Sequence, residues 1–134
     1  MKISDIQLTP LKIGKTLIRI QTDSGIEGWS EAPGGSKVVP GRSVEVFRAY
    51  LEQIIKPVLI GEDPIEIDRH WETLALGKED RMYKLPANVV GAIDIALWDL
   101  MGKEAGMPVY KLMGGAARTT IPLYWSVGSG WKKT

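Results

Sequence analysis

From Val89 to Lys103 the chain carries apolar residues on nearly every side of a helix. Val89, Val90, Ile93, Ala96, Leu97, Leu100 and Met101 recur at helical spacing. Ala92, Ile95 and Trp98 widen that face, and Asp94 and Asp99 interrupt it. A helix apolar nearly all round is packed on several sides, so other elements must wrap it. This predicts the most buried helix of the fold, and the rest of the chain has to supply the layers around it. Gly106-Met107-Pro108 ends the helix. Val109 to Met113 reads as a short helix stopped by Gly114-Gly115.

The first layer is legible as strands. Thr16, Ile18, Ile20 and Thr22 alternate with Leu17, Arg19 and Gln21, the period of a half-buried strand. Asp23-Ser24-Gly25 supplies a turn, with Gly25 free to take positive φ. Ile26 to Glu31 resumes as the partner strand of a hairpin. Ile3 to Leu8 is an earlier strand ended by Pro10, which predicts a three-stranded antiparallel meander. Ala32-Pro33-Gly34-Gly35-Ser36-Lys37 then breaks the pattern and reads as a mobile loop.

The second layer is helical. Val44, Phe47, Leu51, Ile54, Ile55 and Val58 mark one face, with Ser43 as N-cap, and Pro57 should end or kink this helix. Asp63-Pro64-Ile65-Glu66 predicts a helix start, with Asp63 as cap and Pro64 in the first helical position. Ile67, Trp71 and Leu74 form its buried stripe, and Gly77 stops it. Lys78 to Pro86 is a charged connection. Thr120 to Val127 reads as one more strand, with no element after it to pair with. An unpaired apolar edge of this kind is an aggregation hazard, so the expectation is that the chain is the front of a longer protein.

Composition excludes more than it suggests. The 134 residues carry 17 Lys and Arg against 16 Asp and Glu, a formal charge of +1. No charge surplus exists to neutralise phosphates, so neither a nucleic acid nor an anionic membrane is the expected partner. The absence of cysteine removes disulfides, thiolate metal sites and a cysteine nucleophile. The start Met1-Lys2-Ile3-Ser4-Asp5 leads into no apolar signal region, and the expected setting is the cytoplasm. Gly14-Lys15-Thr16 is not a phosphate loop, because Thr9 stands where its first glycine belongs and Lys15 opens a strand. Asp94 and Asp99 are five apart on a helix, about 140° around the axis, and cannot converge on one ligand. Both read as structural. Glu62 and Asp63 read as capping residues, His70 as a surface histidine, and Trp29, Trp71 and Trp98 as core.

The run Gly91-Ala92-Ile93-Asp94-Ile95-Ala96-Leu97-Trp98-Asp99-Leu100-Met101-Gly102-Lys103, continuing through Gly106-Met107-Pro108 to Leu112-Met113-Gly114-Gly115, resembles the enolase superfamily, in its mandelate racemase/muconate lactonizing enzyme branch. Thr22-Asp23-Ser24-Gly25-Ile26-Glu27-Gly28-Trp29-Ser30-Glu31 is similar to the second hairpin of that family. The resemblance implies an α+β fold, a meander followed by a helical bundle, as the capping domain over residues 1–118. Residues 119–134 would be the first strand of a (β/α)7β barrel that is otherwise absent.

The chemistry it implies is abstraction of a proton next to a carboxylate, with Mg²⁺ stabilising the enediolate. The bases and metal ligands of the family lie on later barrel strands, so the resemblance assigns no catalytic and no metal-binding residue here. It implies instead a lid that selects substrate: Lys12, Lys15, Pro33, Gly34, Ser36, Lys37 and Tyr83. Trp125 and Ser126 would face the barrel mouth. The implied partners are a carboxylate substrate, a sugar acid by preference, the chain's own C-terminal barrel, and further copies in a homo-oligomer. The implied activity is that of an acid-sugar dehydratase. A racemase, epimerase or cycloisomerase of the same superfamily, or a stand-alone folding or oligomerisation module, are the alternatives.

Overall fold

The computed structural model describes residues 1–12, 15–32, 44–77 and 85–124. Strands β1 (Ile3–Pro10), β2 (Thr16–Thr22) and β3 (Glu27–Ala32) form an antiparallel sheet in that order. Helix α1 (Val44–Tyr50), a π-helical stretch (Leu51–Ile55) and α2 (Lys56–Leu59) follow as one continuous rod. Then come α3 (Ile67–Ala75), α4 (Ala87–Glu104) and α5 (Val109–Leu112). Among the described residues no helix is long and apolar enough to cross a membrane.

Alternation puts Thr16, Ile18, Ile20 and Thr22 on the buried face of β2, as its sequence predicts. Ile3 and Ile6 are both buried although they are three apart. A register shift between Ile3 and Asp5 absorbs the odd residue. Gly25 takes φ +85° in the β2–β3 turn. The opposite face holds Arg19, Gln21, Glu27 and Trp29. There Arg19 stacks 5.6 Å above the Trp29 ring, so Trp29 is a half-open surface residue and not core.

Helix α4 lies on the buried face of the sheet and against α3. It buries Val89, Val90, Ala92, Ile93, Ala96, Leu97 and Leu100, more than any other described helix. One flank departs from expectation: Ile95 is 58% exposed, and Trp98 is only partly buried.

Pro57 does not end the helix where it stands. In a regular α-helix its ring would strike the carbonyl four residues back. The π turn just before it widens the coil, with the Lys56 N–H donating to the Leu51 carbonyl, and the helix continues to Leu59. Its buried positions, Phe47, Leu51, Ile55 and Leu59, recur every fourth residue. That spacing drifts around an α-helix, and a π turn winds it back. Ser43 lies outside the described residues.

Helix α3 begins at Ile67, three residues later than Pro64. The Asp63 carboxylate accepts the Ile65 N–H (3.1 Å) and closes a turn around Pro64 first. The His70 Nε2 then meets the Asp63 carbonyl at 2.7 Å. His70 is therefore buried, and Trp71, expected in the stripe, is 47% exposed. The stripe is Ile67, His70 and Leu74. Gly77 follows with φ +75°. Residues 120–124 form no strand; Leu123 and Tyr124 stand out in solvent. A strand needs a neighbour for its backbone groups, and none is present among the described residues.

Candidate functional site

The topology brings the first hairpin turn and residues that flank two further connections to one end of the domain. The first is the β1–β2 turn, closed where the Leu11 N–H donates to the Lys15 carbonyl (2.7 Å). Thr16 pairs with Pro10 on one side and with Ala32 on the other, so the chain leaves β3 beside this turn. Helix α4 runs antiparallel to β3. Lys103 reaches the Glu27 carbonyl (2.8 Å), and the Ser30 hydroxyl donates to the Ala92 carbonyl (2.6 Å). Following β3 toward Ala32 thus descends α4 toward Ala87 and Leu85. Leu85 is the residue that follows the 78–84 connection.

The rod confirms the third side. Lys56 pairs with Asp5 at 3.3 Å, and the Gly61 N–H donates to the Ile3 carbonyl (2.8 Å). Val44 lies twelve residues before Lys56, about 18 Å back along a helix. Asp5 to Pro10 spans about 17 Å of strand. Val44 therefore starts near the Pro10 end. Ala32 and Val44, which flank 33–43, and Leu85, which follows 78–84, stand at the end that carries the 11–15 turn.

Of the residues the sequence singles out, Lys12 and Lys15 are placed. Lys12 is exposed, with no partner among the described residues. Lys15 is exposed as well, but its ammonium pairs with Glu31 at 2.6 Å. It ties the first turn to the last residues of β3. Glu31 was missed by sequence reasoning. The hairpin register was the available signal, since Leu17 opposite Glu31 puts Lys15 one step along the same face. Pro33, Gly34, Ser36, Lys37, Tyr83, Trp125 and Ser126 lie outside the described residues.

Of the two helical aspartates, Asp99 has the structural role its position suggests, and Asp94 makes no hydrogen bond or ion pair among the described residues. Asp99 accepts the Trp29 N–H (2.8 Å) and pairs with Lys103 (2.5 Å). The Asp94 carboxyl is held above the usual carboxylate range, first by burial and then by the neighbouring Asp68 charge. A raised carboxyl value means the folded state disfavours the ionised form. Asp94→Asn should therefore raise stability at pH 7, with the gain fading as pH falls through the carboxylate range. Urea midpoints at pH 7 and pH 3 check this; equal gains at both would show that the charge is not the cause. Among the described residues no three His, Asp or Glu side chains come together as a metal site. The groove between Ile65, Ile67, Trp98 and Met101 lies at the far end of α4, away from the three connections.

Residues 9–114 match the family described as Mandelate racemase / muconate lactonizing enzyme, N-terminal domain. A D-galactonate dehydratase family member of Streptomyces bingchenggensis is 39% identical over 115 residues, 86% of this chain and 26% of that protein. The D-galactonate dehydratase of Pectobacterium atrosepticum is 38% identical over 128 residues, 96% of this chain and 32% of that protein. The muconate lactonizing enzyme from Pseudomonas putida superposes with a TM-score of 0.71 at 29% identity, covering 88% of this chain and 33% of that one. The chain thus spans about a quarter to a third of the length of these relatives. Family match, fold and relatives agree: the chain belongs to the mandelate racemase/muconate lactonizing enzyme branch of the enolase superfamily, and residues 9–114 are its N-terminal domain.

Proposed function

We propose that the chain is the substrate-selecting cap of an acid-sugar dehydratase that removes a proton from the carbon next to a carboxylate. The observation that carries this reading is that Ala32, Val44 and Leu85, the described residues beside 33–43 and 78–84, lie at the same end of the domain as the Leu11–Lys15 turn. A rigid sheet and a buried helix present them together, which suits a lid whose loops vary while the scaffold stays fixed. The dehydratase names of the relatives favour a sugar acid as substrate. The likeness to a muconate lactonizing enzyme keeps a cycloisomerase as the second reading.

In this reading residues 1–118 cap a barrel whose first strand begins at residue 119, and the complete protein is a cytoplasmic homo-oligomer. Mg²⁺, bound outside these residues, would supply charge stabilisation to the enediolate. Among the described residues no three His, Asp or Glu side chains come together to hold the ion. What this chain contributes is closure and charge. A closed lid excludes water from the barrel mouth. Lys12 and Lys37 offer cations that can hold a carboxylate by charge-assisted hydrogen bonds. Lys15 acts through Glu31, by holding the first turn against β3.

The test is kcat/KM for two acid substrates of different size in the full-length enzyme. Lys12→Ala and Lys37→Ala should change the ratio between the substrates about tenfold while moving stability by no more than about 0.5 kcal/mol. Lys15→Ala should change both substrates together, through a looser turn. An unchanged ratio in every variant would move the selectivity to Tyr83, Trp125 and Ser126.

A further inference from the structure

An open three-stranded sheet has two edges, and each presents backbone groups to any passing strand. In β3 the odd-numbered residues point their N–H and C=O groups away from β2, because Thr22 and the even residues of β2 bond to β3 through the even positions. The outward Trp29 N–H is taken by the Asp99 carboxylate (2.8 Å), and the outward Glu27 carbonyl by the Lys103 ammonium (2.8 Å). Asp99 and Lys103 are i and i+4 on α4 and pair with each other at 2.5 Å. One acid and one lysine thus occupy the donor and acceptor that a neighbouring strand would use.

The β1 edge repeats the arrangement. There Ile6 points its N–H away from β2, and the Asp5 carboxylate accepts it (2.8 Å). Asp5 in turn pairs with Lys56 on α2 (3.3 Å). Burial works to raise the Asp5 carboxyl, but hydrogen bonds from Gln7, the Ile6 N–H and Lys56 outweigh it and hold it below its usual range. It stays an ionised acceptor at neutral pH. Ile3, nearer the chain start, is closed by backbone instead, its N–H donating to the Glu62 carbonyl (3.0 Å).

We propose that the pairs Asp99–Lys103 and Asp5–Lys56 are side-chain plugs that shut the two edges of the sheet against strand addition by a second copy of this chain. Each plug puts a carboxylate on an outward amide and anchors that carboxylate to a lysine on a helix. A second strand would have to displace a charge-assisted hydrogen bond and bury the ion pair it leaves behind. Each plug thus closes the outward amide that the backbone of the neighbouring helix leaves open. The lid-bearing end of the sheet is then left free of copies stacked alongside it.

The experiment compares full-length wild type with Asp99→Ala/Lys103→Ala and with Asp99→Asn, which keeps an acceptor for the Trp29 N–H. Sedimentation velocity over a wide range of concentration reads association, and amide exchange reads the edge directly. The alanine pair should associate further with rising concentration than wild type does, and Asp99→Asn should not. In dilute samples of the alanine pair the Trp29 amide should exchange about ten- to a hundredfold faster than in wild type. Wild-type association and wild-type exchange at Trp29 in the alanine pair would overturn the proposal. Should that variant fail to fold, wild type alone decides. Its Trp29 and Ile6 amides must exchange more slowly than that of Glu31, an outward residue of β3 without a plug among the described residues; equal rates overturn it.

Discussion

Gly28→Ala should cost about 3 kcal/mol of stability or more, the largest loss expected from adding a single methyl group to this domain. A Cβ built on Gly28 would stand 2.1 Å from the Ala96 carbonyl oxygen and 2.9 Å from the Leu100 Cβ. The first of these is backbone, inside the most buried helix, and cannot swing aside. The only relief is to lift α4 off β3. That would stretch the Ser30–Ala92 bond and the Asp99 contact to Trp29, both of which fix the same interface. Urea denaturation measures the loss. A midpoint close to wild type would mean that α4 and β3 stand further apart than described. Gly91 makes the control. A Cβ there meets nothing within 4 Å, and as a helical position it should gain up to about 1 kcal/mol from alanine.

Gly28 also marks what sequence can and cannot say. Its neighbours read correctly as a strand, because alternation is a local property and the turn at Asp23-Ser24-Gly25 is local chemistry. That β3 would press backbone to backbone on α4 is a tertiary fact with no periodic signature. The same division runs through the helices. The buried face of α4 was legible because its apolar residues are dense. Its open flank at Ile95 was not, since an apolar residue facing solvent and one facing a neighbour look alike in sequence.

His70 and Trp71 exchanged roles for a specific reason. Hydrophobicity favours tryptophan for the stripe, but the turn around Pro64 delays the helix and offers the Asp63 carbonyl to the histidine ring. A buried imidazole with a hydrogen-bond partner is tolerated, and the indole can lie half exposed. Continuation of the helix past Pro57 to Leu59 is not legible in sequence, because a π turn has no sequence signal of its own. At the candidate site, Lys12 and Lys15 come from the family resemblance and not from any pattern in the residues themselves. Only the hairpin register revealed that Lys15 is engaged with Glu31. That Ala32 and Leu85 share an end of the domain follows from the antiparallel packing of α4 on β3, which the strand and helix order alone does not determine.

Ile93→Ala should destabilise by about 2 to 5 kcal/mol. Ile93 is fully buried, on the side of α4 that meets the core, among residues as closed as Ala96 and Leu97. Removing its side chain beyond Cβ takes away apolar area that is wholly out of water and leaves a cavity. How far that cavity collapses decides where in the range the loss falls. Collapse should be poor here, because α4 is fixed from two directions. Gly28 holds it close to β3, and Ser30, Asp99 and Lys103 tie three of its turns to the sheet. A helix so pinned cannot shift to fill a void, so the loss should fall in the upper half of the range. Ile95→Ala, two residues on and 58% exposed, should cost less than about 1 kcal/mol. Paired urea titrations of the two variants measure the contrast. Equal losses would mean that both sides of α4 are covered, and a loss below about half a kcal/mol at Ile93 would place that face in solvent.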